Sequence, residues 1–153
     1  MSEHRATVAW RRTTESFDYD AYNRDHEWTF EGGVRVPASS APDFRGDAER
    51  VDPEKALVAA LSGCHMLTFL AVCARERLVV DSYDDEAVGY LEKNAEGKLA
   101  VTRVVLRPRV RFGGDGPPAD DELAQLHAKA HHNCFIANSV RTEVTVEPAD
   151  AAQ

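Results

Sequence analysis

The chain has 153 residues, 43% of them hydrophobic, and a formal net charge of −8, enough apolar content for one core and a single domain over residues 1–153. That acidic balance opposes binding to a phosphate backbone, which needs a basic footprint, so no nucleic-acid partner is expected. The N-terminus, MSEHRATVAWRRTTESF, lacks the apolar core of a signal peptide, and the chain reads as cytoplasmic. In that reducing compartment Cys64, Cys73 and Cys134 read as buried, reactive or metal-binding thiols rather than a disulfide framework.

Thr7 to Arg12 reads as a first strand. Glu27 to Glu31 and Val34 to Val36 alternate apolar with polar around Gly32-Gly33, the pattern of a β-hairpin. Pro37 to Arg50, rich in Pro, Ser, Ala and Asp, reads as a surface loop.

The segment VDPEKALVAALSGCHMLTFLAVCARERL, Val51 to Leu78, is a well-specified helix. Asp52 suits the N-cap, Pro53 the first helical position, and Glu54 the first turn, where its charge is favoured. From Ala56 to Ala74 nearly every side is apolar or small, which predicts a helix surrounded by protein. Ser62, Gly63, His65 and Thr68 interrupt it and charges close both ends, so it does not read as a membrane span. One sheet cannot cover such a helix on all sides. A second copy of the chain supplying the rest, as an obligate homodimer, is the resulting expectation.

Ala87 to Lys93 and Leu99 to Phe112 flank Asn94 to Gly97 and read as a second hairpin. In its longer arm Val104, Leu106, Val110 and Phe112 are placed on one face, with Arg103, Arg107, Arg109 and Arg111 on the other as a solvated row. Pro108 cannot donate to a ladder, so that arm is expected at a sheet edge or bulged there. Asp120-Asp121-Glu122 then start a helix running to about His132, with Leu123, Leu126 and Ala130 as its apolar stripe. Asn133 to Val140 reads as a further short helix and Thr142 to Glu147 as a closing strand. The class is α+β.

A thiol in an apolar helix paired with a second thiol in NCFIANSV carries a resemblance. With VDPE ahead of an Ala-rich helix bearing Cys64, with Cys134 followed by Asn138-Ser139-Val140, and with Arg24-Asp25 upstream, the chain resembles the OsmC/Ohr family of peroxide-detoxifying proteins, most closely its OsmC-like branch. The resemblance runs from about Tyr22 to Pro148. Where many members have Pro and then a Ser before the Asn, this chain has Phe135 and Ala137, a departure that bears on disulfide closure.

The resemblance implies an OsmC-like fold of antiparallel sheets around a buried central helix in an intertwined homodimer. It also implies a thiol peroxidase needing no metal or haem, with Cys64 as peroxidatic and Cys134 as resolving thiol. Hydrogen peroxide or an organic hydroperoxide is the implied substrate, and a dithiol or lipoyl-type reductant restores the enzyme. Arg24 would stabilise the Cys64 thiolate and hydrogen-bond a peroxide oxygen, held by Glu54 through a bidentate carboxylate pair. Ten helical residues separate Glu54 from Cys64, about 15 Å of rise with side chains about 80° apart. Glu54 is therefore expected to serve the partner's thiol, across antiparallel helices.

Other residues read more plainly. Cys73 is a small core hydrophobe. His65 points about 100° from Cys64 on a helix and is no obvious base for it. His127 and His131 have metal-ligand spacing, but on a helix with a polar face they read as solvated. Two other classes stay open: a protein binding metal through Cys64, Cys134 and His131 or His65, and a non-catalytic small-molecule binder of the same fold.

Overall fold

A computed structural model describes residues 1–149. Its internal contacts group into two compact units, Met1–Ala56 and the chain from Leu57 onward; residues 150–153 of the expected single domain lie outside the described residues.

In the first unit, β1 (Ala6–Trp10), β2 (His26–Phe30) and β3 (Arg35–Ala38) form an antiparallel sheet in the order β1-β2-β3. Val8 pairs with Trp28, which in turn pairs with Val36. The β2–β3 hairpin closes through a 3₁₀ turn at Glu31–Gly33, where Gly32 takes a φ of 80° that a residue with a Cβ seldom adopts. Every residue of β1 is exposed.

The long helix α1 (Pro53–Arg75) starts as its sequence dictates. Asp52 Oδ1 accepts the Lys55 backbone N–H at 2.8 Å, satisfying a donor that the helix cannot satisfy itself. Burial opposes the Asp52 charge, but hydrogen bonds and attraction from Lys55 outweigh it and hold the carboxyl below its ordinary value. The helix ends where Arg77 turns into the left-handed region at a φ of 63° and Leu78 N–H reaches back to the Cys73 carbonyl, 2.9 Å. Its most apolar stretch has a mean hydropathy of 2.0, yet only 22% of that stretch is buried. The helix expected to be covered on all sides buries a single stripe within one chain: Leu61, His65, Phe69 and Cys73, spaced by four.

The second unit holds β4 (Val80–Asp85), β5 (Val88–Lys93), β6 (Leu99–Leu106), β7 (Pro108–Phe112), α2 (Asp120–Asn133) and β8 (Glu143–Val146). The arm expected to run unbroken from Leu99 to Phe112 is two strands in two sheets. β6 lies between β5 and β8, while β7 pairs with β4, a strand the hydropathy pattern had not revealed. Pro108 is the reason, since it cannot donate to a ladder. The preceding amide, Arg107 N–H, is taken instead by Asp85 Oδ1 at 2.6 Å. Asp85 also accepts the Ser62 hydroxyl, which ties this break to α1.

One sheet is mixed rather than antiparallel. β8 joins β6 in parallel, Val104 opposite Val144, because it returns from α2 through a crossover and not a hairpin. The short helix expected over Asn133 to Val140 reduces to a 3₁₀ turn at Ala137–Ser139.

Two apolar clusters make the core of this unit. One packs Phe69 and Cys73 of α1 on Leu126 and Ala130 of α2, with Val110 and Phe112 of β7 against them. The other packs Leu61 on Val104 and Leu106 of β6, with Ile136 and Val144 beside them. The apolar face read along Val104 to Phe112 is therefore inward, shared between both clusters. Three of the four arginines in the row opposite it are paired rather than merely solvated: Arg103 meets Glu92 at 3.2 Å, Arg107 meets Glu147 at 3.6 Å and Arg109 meets Glu86.

Candidate active site

Cys64 sits midway along α1, partly exposed, and Cys134 is fully buried at the end of α2; both thiols are free. Two features bring them together. Leu61, one turn before Cys64, packs against the cluster that includes Ile136. The chain leaving α2 then turns tightly, with the Asn138 N–H on the Cys134 carbonyl at 3.0 Å. This turn aims successive amides at the two sulfurs: Ile136 N–H at Cys64 Sγ, 3.5 Å, and Ala137 N–H at Cys134 Sγ, 3.4 Å.

The thiols are unequal. Burial pushes the Cys134 thiol up, and hydrogen bonding to Cys64 pushes it further, against the backbone amides of Ala137 and Ile136 that pull it down. Cys134 is thus held in its protonated form. The Cys64 sulfur accepts the Ile136 amide, and Cys64 is the less buried of the two.

Cys64 opens on a groove of about 740 Å³ along α1. Ala59, Ala60 and Gly63 keep its floor low beside the thiol, Leu67 and Phe135 wall it, and Arg75 and Asn133 lie along it as well. Leu67 and Phe135 are 65% and 81% exposed, so apolar surface faces outward next to the sulfur.

Arg24 and Glu54 belong to the first unit. The Arg24 guanidinium lies 3.6 Å over the Tyr22 ring and donates to the carbonyls of Tyr22 and Tyr19. Its own carbonyl accepts from His26 Nδ1 at 2.8 Å, while His26 Nε2 accepts the Trp28 indole N–H. Next to it, Asp25 accepts the hydroxyl of buried Ser39 at 2.9 Å and pairs with Arg50 at 3.2 Å. Among the described residues Arg24 and Glu54 form no ion pair with each other within the chain.

One histidine departs from its sequence reading. His127, expected to be solvated, is buried, and its Nδ1 lies 3.1 Å from Nε2 of buried His65. The missed signal is positional. His127 falls on the α2 stripe with Leu123, Leu126 and Ala130, and His65 on the α1 stripe with Leu61, Phe69 and Cys73. Cys73 is a core thiol as expected, pushed up to about 11 by burial and then by Glu76. Among the described residues no three His, Cys, Asp or Glu side chains converge as a metal site would require.

The family model described as OsmC-like protein matches residues 46–149. An OsmC-like protein of unknown function from Vibrio cholerae is similar in structure, with a TM-score of 0.93 at 50% identity, covering 97% of this chain and 100% of that one. The uncharacterised protein YmaD of Bacillus subtilis is 26% identical over 127 residues, 82% of this chain and 84% of that protein. At 16% identity and a TM-score of 0.72, a Legionella pneumophila protein named as an organic hydroperoxide resistance protein OsmC shares the fold over 99% of this chain and 98% of its own.

Proposed function

The chain belongs to the OsmC-like family, and we propose that within it this protein is a cysteine-based peroxidase reducing organic hydroperoxides or hydrogen peroxide. The observation that carries this reading is the unequal thiol pair. Cys64 opens on an apolar groove, and Cys134 beside it is held protonated by burial. In the proposed reaction the Cys64 sulfur attacks the terminal peroxide oxygen, the O–O bond breaks, and an alcohol or water leaves. Cys64 is left as a sulfenic acid. The Cys134 sulfur then displaces that oxygen as water, closing a Cys64–Cys134 disulfide, and an external dithiol or lipoyl-type reductant restores both thiols.

The proposed assembly is a homodimer. The apolar faces of α1 left uncovered within one chain, and a first unit whose β1 is exposed throughout, support a partner copy as their cover. In that dimer Glu54 of one chain would hold Arg24 beside the thiol of the other, releasing it from the Tyr22 ring. The naming of Legionella and Bacillus relatives of this fold as organic hydroperoxide resistance proteins lends support.

The test is consumption of cumene hydroperoxide and of hydrogen peroxide with dihydrolipoamide as reductant. Wild type is expected to turn over, faster with the bulky substrate, and Cys64→Ser to be inactive. Equal first-turnover rates in the two proteins would overturn the reading. It would leave a non-catalytic binding protein whose ligand occupies the groove.

A further inference from the structure

The His65 and His127 rings lie within 8° of parallel with centroids 5.4 Å apart, and the facing nitrogens are 3.1 Å apart. The N–H of one therefore points along the lone pair of the other. Their outer nitrogens, His65 Nδ1 and His127 Nε2, are buried without partners. Filling the same stripe positions with apolar side chains would avoid that cost. The pair is thus a directional contact retained inside an otherwise greasy seam, where Phe69 and Cys73 meet Leu126 and Ala130.

Its place in the chain links it to the thiols. His65 directly follows Cys64. His127 precedes Cys134 by seven residues, two helical turns, so the two leave α2 on nearly the same side. Apolar contacts hold α1 and α2 together but tolerate sliding. Among the described residues this is the one side-chain hydrogen bond inside the α1–α2 seam; at its rim Lys129 of α2 also meets Glu76, the residue after α1. We propose that His65 and His127 are positioning residues: their shared hydrogen bond sets the register of α1 against α2 and thereby the approach of Cys134 to Cys64 when the disulfide closes. This rests on the peroxidase reading and deepens it. It concerns the closing step, in which the Cys64 S–O bond breaks, the S–S bond forms and water leaves with the Cys134 proton, and not the attack on peroxide.

The bond requires that the pair carry one proton between the facing nitrogens, since a second would set N–H against N–H. Burial, and then His131 of α2, hold His65 down to about 4 against the pull of Asp85 on β4. Burial, and then His65, hold His127 down to about 4. The remaining groups near the pair are the Tyr83 hydroxyl of β4 across Phe69, the protonated Cys73 thiol, and apolar Val110 and Phe112 of β7. The tie is therefore intact at neutral pH and lost in acid.

The experiment follows one equivalent of cumene hydroperoxide through a single turnover of the full-length protein, measuring Cys64 sulfenic acid by dimedone trapping and the Cys64–Cys134 disulfide by mass spectrometry. Three proteins are compared: wild type, His127→Leu, and the double variant His65→Gln/His127→Asn, whose amides stand near the Nε2 and Nδ1 positions and can hydrogen-bond without titrating. In His127→Leu, sulfenic acid should form at the wild-type rate within about threefold while disulfide closure slows about tenfold or more, the scale expected of a displaced reacting group. The double variant should recover most of the closing rate and lose the extra acid-side fall that wild type shows below about pH 5. Wild-type closure in a folded His127→Leu, or no recovery in a folded double variant, overturns the inference. If His127→Leu does not fold, superimposable wild-type and double-variant closing profiles from pH 7 to 4 overturn it, and profiles that separate support it. If wild type reduces no peroxide, the peroxidase reading fails by itself, and diamide closing the same thiols in the same three proteins still decides the role of the pair.

Discussion

At Cys134 one side chain combines full burial, Cys64 as its neighbour and an Ala137 amide on its sulfur. These features argue for a thiol that waits protonated until its neighbour is oxidised. Cys134→Ser is expected to complete one peroxide turnover at nearly the wild-type rate and then stop, with a Cys64 sulfenic acid that overoxidises on further peroxide, seen as added oxygen atoms in intact mass. Rapid further turnover with the dithiol alone would show that Cys134 is not the resolving thiol. Asp52 carries a different single-residue role. Its carboxylate caps α1 through Lys55, so Asp52→Ala should lower stability by about 1 kcal/mol, read from the urea midpoint at pH 7. Because its folded pKa is depressed, that contribution is present above its unfolded value and fades as pH falls below it.

Helix packing sets the element-scale expectations. The two core histidines are held down to about 4 in the folded chain, against about 6.5 unfolded. Their neutral state therefore gives full stability above about pH 6.5, and stability is lost as pH falls toward 4, by up to about 1.4 kcal/mol per histidine per pH unit. Urea midpoints at pH 7.0, 6.0 and 5.0 should fall more steeply in wild type than in His65→Gln/His127→Asn; parallel lines would mean that the pair does not titrate on unfolding. The second element-scale contact is β5 against α1. A Cβ on Gly89 would stand 2.4 Å from Val58 Cγ2 and 3.5 Å from Val101 and Val104 side chains. Gly89→Ala should cost about 1–3 kcal/mol by overpacking, and adding Val58→Ala should return part of it. Additive costs in the double variant would count against a direct clash.

For the whole molecule, the open question is what covers α1. A homodimer predicts an apparent mass on gel filtration near twice that of the 153-residue chain, maintained at micromolar concentration. It also predicts complementation. Inactive Cys64→Ser mixed with inactive Glu54→Ala under subunit exchange should regain up to about half the wild-type activity per mixed dimer, because one of its two sites is then complete. No recovery in verified mixed dimers of folded variants would assign Glu54 to its own chain's site or remove it from catalysis.

Local chemistry made much of this legible from residues alone. The α1 start at Asp52-Pro53-Glu54, the hairpin over Gly32-Gly33, the acidic start of α2 and its Leu126–Ala130 stripe all follow from capping, turn preference and period, which act over a few neighbouring residues. The α+β class was within reach of the same reading, whereas the choice of Cys64 and Cys134 came from the family resemblance. What required the tertiary structure were contacts between residues distant in sequence. Pro108 marked a disturbance in the strand, but only the Asp85 carboxylate waiting for the Arg107 amide turned it into a break between two sheets. The parallel β6–β8 pairing depends on the path of the crossover, which hydropathy does not encode. Nothing in the sequence related His65 to His127, and they became a buried pair once α1 and α2 met across 62 positions of chain. The donors to the two sulfurs likewise belong to the backbone of Ile136 and Ala137. Any residue but proline supplies such an amide, so only folding decides where it points.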